Sequence, residues 1–69
     1  MNKEYIYSRI LDLEVEISDL QVEHDKMRKA IHNYVDSFII AQIADRIDDF
    51  RDQIRDKQFI LDTMRLSVA

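Results

Sequence analysis

Two heptad seams that do not share a register constrain this chain more than any other feature. Apolar residues recur as Ile6, Ile10, Leu13, Ile17, Leu20, Met27, Ile31 and Tyr34, in steps of three and four, with only His24 interrupting. A second series runs Ile40, Ile43, Ile47, Phe50, Ile54, Leu61, Met64 and Val68, interrupted only by Lys57. Such spacing keeps one stripe of an α-helix apolar. Carrying the first seam forward would put Asp45 in a core position, so the registers are offset and a break falls between Tyr34 and Ile40. The chain contains no Gly and no Pro, so the usual helix punctuation is missing. The segment His32-Asn33-Tyr34-Val35-Asp36-Ser37 takes its place, because several of its side chains compete for backbone hydrogen bonds. The expected organisation is a single domain, 1–69, with helix 1 over about 3–33, a turn over about 34–37 and helix 2 over about 38–66. Asn33 is expected to end the first helix in a left-handed conformation, and Asp36 or Ser37 to cap the second.

Charge decides whether the halves fold back or run on as one helix. Residues 12–25 hold Asp12, Glu14, Glu16, Asp19, Glu23 and Asp25 and no base. Folding back near Asp36 lays that zone beside Arg51, Arg55 and Lys57. It also lays Lys26, Arg28 and Lys29 beside Asp45, Asp48 and Asp49. Both matches require the antiparallel arrangement, which selects orientation more than it adds stability. The expected layers pair Leu13 with Leu61, Leu20 with Ile54, Met27 with Ile47, and Ile31 with Ile43. The fold class is therefore all-α, a two-helix antiparallel hairpin of coiled-coil type.

Off-seam apolar residues extend the expectation to assembly. Tyr7, Leu11, Val15 and Val22 make a second stripe on helix 1, and Phe38, Phe59 and Leu66 lie off the seam of helix 2. A lone hairpin leaves both helices half exposed, so hairpins are expected to pair as homodimers into a four-helix bundle. Below roughly 70–80 residues one core seldom supplies more than about 3–5 kcal/mol, and a second copy helps. At 69 residues this chain falls in that range.

Composition removes several function classes. A net charge of −4 speaks against a nucleic-acid-tracking surface and against anionic membranes. The least charged run, Ser37 to Ala44, falls well short of the ~20 residues a membrane helix needs. Glu4 and Arg9 interrupt any export signal, and with no Cys a cytoplasmic setting is expected. Catalysis finds no support, since no hydroxyl has a histidine and carboxylate placed to activate it. His24 and His32 are two turns apart, too far to share a metal. No metal or cofactor is expected. In the seams, His24 reads as a hydrogen-bonded specificity element near Phe50. Lys57 reads as a cation that snorkels outward or sets register.

Asp45, Asp49, Asp52 and Asp56 lie on one face of helix 2, at steps of four, three and four. They form either a docking face for a basic partner or a solvated face moderated by the pairs Asp48–Arg51, Asp52–Arg55 and Asp62–Arg65. The solvated face is preferred. Asp48-Asp49-Phe50-Arg51-Asp52 resembles the D-D-x-x-D magnesium motif of prenyl-diphosphate synthases over five residues. In size, acidity and hairpin form the chain resembles the plasmid-encoded Rop type of RNA-binding bundle, which implies RNA binding as an alternative. From the residues themselves, Tyr5, Tyr7 and Tyr34 with Lys26, Arg28 and Lys29 offer a small nucleic-acid contact near one end. Ala41-Gln42-Ile43-Ala44-Asp45 resembles the S-Q-x-L-D signature of small Spo0E-type aspartyl-phosphate phosphatases, which would give Asp45 the key role. The chain is also similar in size to hairpin co-chaperones of type III secretion. The leading expectation is a small non-enzymatic protein–protein interaction module. It would be a regulator, inhibitor or assembly chaperone of the sort that phages, plasmids and secretion loci encode. Its partners would be a second copy and an unidentified protein.

Overall fold

The computed structural model describes residues 3–69, and its elements follow from the two seams. Helix α1 runs Lys3–Ala30, a 3-10 turn covers Ile31–Asn33, and α2 runs Ser37–Val68. The helices fold back on each other into a rod of 51 × 14 × 14 Å. It is an all-α helical hairpin.

The break overlaps the expected segment, but α1 stops at Ala30, short of the expected end near 33, and the first half of the break is made by a different mechanism. No described non-glycine residue has positive φ, so Asn33 does not close α1 in the left-handed conformation. The last turn instead tightens to 3-10 geometry, which offers the terminal carbonyls closer donors. The chain leaves through Tyr34, extended at φ −114° and ψ 144°. Tyr34 was expected to extend the seam, yet it is exposed. The helix has ended before it, so helical spacing no longer decides where its ring goes. Asp36 caps α2: its carboxylate accepts the backbone N–H groups of Phe38 at 2.8 Å and Ile39 at 3.3 Å. Its carbonyl accepts from Ile40 at 3.0 Å, the first bond of the helix.

Both seams face inward, but they bury unequally. Ile10, Leu13, Ile17 and Leu61 form the buried core, with Ile6, Ile54, Met64 and Val68 packed against it. Leu13, alone among these, is wholly inaccessible. This cluster lies toward the open end, away from the turn. Toward the turn, Met27, Ile31, Ile43 and Ile47 are only half-buried.

Ion pairs bear out part of the charge expectation. Lys57 donates to Glu16 across the hairpin at 3.0 Å. Arg65 does the same to Glu14 at 3.1 Å. Arg51 and Arg55, expected to meet the acids of α1, instead pair with Asp48 and Asp52 of their own helix. They lie further from the seam than Lys57, and an acid three residues back is nearer than any across the interface. Lys26 pairs with Glu23, also within its helix.

Candidate interaction surface

Once the seams are engaged, the hairpin presents two broad faces and two outer faces, and their chemistry differs. One broad face mixes polar side chains with the edges of Ile17, Leu61 and Ile54. Glu14, Ser18, Gln21, Gln58 and Arg65 surround the edge of Leu61, and Gln21, His24, Asp25 and Arg51 continue the line. His24 sits in the seam as expected, half-buried in that hollow, with Nδ1 3.2 Å from the Asp25 carboxylate.

The other broad face is crossed at mid-length by a charged chain. Glu16 accepts from Lys57 at 3.0 Å and from Arg9 at 3.5 Å. Lys57 thus reaches the opposite helix instead of turning out to solvent. Its hydrogen bond, helped by the positive charge of Arg9, holds the Glu16 carboxyl below the usual carboxylate range against the opposing pull of desolvation.

The outer faces carry the residues singled out in the sequence. Tyr7, Leu11, Val15 and Val22 lie about 150° round α1 from its seam, at 100° per residue. They are between 50% and 63% exposed. Phe38, Phe59 and Leu66 are still more exposed, and they lie on the outer side of α2. The structure therefore groups the four residues of α1 into one ridge and places the three of α2 on the reverse of the molecule. Phe38 is near the turn, while Phe59 and Leu66 are near the open end. No single contact surface gathers all seven.

Between those ends, the outer side of α2 holds Asp45, Asp49, Asp52 and Asp56, all exposed. Three of the expected moderating pairs form: Asp48–Arg51 at 2.9 Å, Asp52–Arg55 at 3.4 Å and Asp62–Arg65 at 3.9 Å. The D-D-x-x-D segment is thus engaged in intrahelical pairs at Asp48 and Asp52. Among the described residues, no cluster of three or more His, Cys, Asp or Glu is arranged to hold a metal. No helix there is long and apolar enough to cross a membrane.

No known family model, curated protein or solved structure matches this chain. Its surface must be read from its own chemistry.

The turn gathers Phe38, which spacing sets off the seam, into a patch that heptad reading does not assemble. Tyr34, Val35, Phe38 and Ile39 are all exposed, Val35 almost completely. Beside them a groove of about 350 Å³ runs between Met27, Ala30, Ile39 and Ile43. Four large apolar residues within six positions of a turn was the available signal. Next to it, Arg28, Lys29 and His32 edge a shallow hollow with Asp25.

Proposed function

We propose that this chain is a small non-enzymatic protein–protein interaction module, a regulator, inhibitor or assembly chaperone, whose contact surface is the outer face of α1. The observation that carries this reading is the ridge Tyr7–Leu11–Val15–Val22. It is apolar, exposed and set on a helix whose opposite side is already occupied by α2. Exposed apolar residues scattered singly need no explanation, but a ridge at helical spacing is the surface a partner helix packs on. Tyr7 to Val22 spans about 22 Å at 1.5 Å per residue, enough for several anchors of a docked helix.

Two forms of contact use this face. A second hairpin laid alongside makes four helices, the homodimer expected from the stripes. Alternatively, a helix of another protein takes the same place. The absence of cysteine suits such a module to a reducing cytosol.

Solution mass by sedimentation, together with capture of a partner, tests the reading in Val15→Asp/Val22→Asp. Both residues are exposed, so helicity by circular dichroism should persist while self-association or capture is lost. Unchanged association in that variant would remove the assignment of this face. A second reading, the Rop-like contact with RNA or DNA, draws on Arg28 and Lys29, which make no ion pair among the described residues. It requires retention that weakens steeply with salt and with substitution of those residues by Glu.

A further inference from the structure

We infer that the outer ridge of α1 takes a basic amphipathic helix of a different protein, and not a second copy of this chain; the inference rests on the α1 contact surface proposed above. The ridge runs through the acidic zone. Asp12 and Asp19, one heptad apart, stand on the same shoulder of Leu11, Val15 and Val22. Neither makes an ion pair among the described residues, and both are exposed. The other acids of this stretch are engaged elsewhere. Glu14 is held by Arg65 and Glu16 by Lys57 and Arg9. Glu23 is paired with Lys26, and Asp25 lies against His24. What remains open to a newcomer is an apolar ridge with two unpaired carboxylates along one edge.

A second copy has no surface of the matching kind. Its own α1 ridge is acidic at the same positions. Laid antiparallel about the ridge centre, Asp12 of one copy meets Asp19 of the other, and laid parallel the whole 12–25 zone meets itself. Its α2 outer face carries the Asp45–Asp56 stripe, which is also negative, and the apolar residues there, Phe38 at one end and Phe59 and Leu66 at the other, are separated by that stripe and form no continuous ridge. At the turn, Arg28 and Lys29 stand near Tyr34, Val35, Phe38 and Ile39, but these form a compact tip and not a ridge about 22 Å long. Like charges brought together at a contact select against that partner. A helix with apolar anchors three, four and seven residues apart, and Lys or Arg a heptad apart on one flank, satisfies both the ridge and its shoulder.

The test uses the full chain and two synthetic amphipathic helices of roughly 20 residues, above the length at which isolated helices become stable. They share leucine anchors at heptad spacing and differ only in flanking Lys or flanking Glu. Affinities come from titration calorimetry, and solution mass from sedimentation. The expected result is that the Lys peptide binds about tenfold or more tighter than the Glu peptide. Asp12→Lys/Asp19→Lys should reverse that preference, Val15→Asp/Val22→Asp should abolish binding of both, and Asp49→Lys on the far side should leave the preference intact. Three results would overturn the inference. The first is equal binding of the two peptides, and the second is Lys-peptide binding that survives the Val15 and Val22 changes. The third is a dimer that Val15→Asp/Val22→Asp dissociates and neither peptide displaces. In that last case the proposed contact face stands and only the occupant is wrong. If the valine changes alter neither mass nor peptide binding, both fail.

Discussion

The two ends of the hairpin use the same seam pattern to different effect. At the open end, Ile10, Leu13, Ile17 and Leu61 exclude water, with four further apolar residues closing around them. Near the turn, Met27, Ile31, Ile43 and Ile47 occupy equivalent seam positions and remain half-exposed, beside an open groove of about 350 Å³. Heptad spacing is equally good in both. The difference lies in what surrounds the seam. At the open end, Arg65–Glu14 and Lys57–Glu16 tie the helices together beside the core. Among the described residues, no ion pair crosses the hairpin at the turn end. Spacing alone brings apolar residues to an interface. Closing that interface needs side chains on its flanks that reach across.

The largest expected effect comes from substituting equivalent positions at the two ends. Leu13→Ala removes a wholly buried side chain and should cost about 2–5 kcal/mol, within reach of the total stability of so small a core. Its thermal transition, followed by circular dichroism, should move to the point where the chain is largely unfolded at room temperature. Ile47→Ala, at a half-exposed position, should cost about 1 kcal/mol. Equal losses from the two would end the distinction between a closed end and an open one.

Next in size is the turn itself. Asp36→Ala removes the carboxylate that holds the Phe38 and Ile39 amides, at a cost of about 0.5–2 kcal/mol. Hydrogen exchange should quicken in the first turns of α2 and around Met27–Ile31, and change little around Leu13 and Leu61. Uniform loss of protection along both helices would show instead that the hairpin opens as one unit.

The smallest effect concerns the Glu16–Lys57–Arg9 chain. The Glu16 carboxyl has its pKa lowered in the folded protein. Its contribution is therefore present above the unfolded carboxylate value and is lost as pH falls through the depressed folded value. Glu16→Gln should lower the neutral plateau slightly and flatten the acid limb, so that its stability curve converges with that of the parent chain as pH falls through the carboxylate range. An acid limb identical to that of the parent chain would mean that this bridge does not contribute.

Much of the candidate surface could be read from spacing. Tyr7, Leu11, Val15 and Val22 stand off the seam by arithmetic alone, because a helix of known pitch places each residue at a fixed angle. Phe38, Phe59 and Leu66 stand off the seam of α2 by the same arithmetic. That they share no surface with the α1 ridge follows only from the hairpin, which sets the two outer faces on opposite sides of the molecule. Tyr34 and Val35 escaped for another reason: they lie between the helices, where the helical period has stopped and period-based reading has nothing to say. Arg51 and Arg55 form the three-apart pairs that helical spacing predicts and not the cross-hairpin contacts that zonal charge predicts, because an acid three residues back is within closer reach.

Taken alone, the sequence determined that there are two helices, where they break, which stripe of each turns inward and which way the second runs. All of these follow from local backbone geometry and the sign of charge, which act over a few residues or along the whole rod. The tertiary structure alone decided how tightly each layer closes, which acids are engaged by bases across the hairpin, and which apolar residues share an outer face. Those outcomes depend on the relative rotation of two packed helices, a quantity set by the fit of side chains across the seam and written at no single position of the chain.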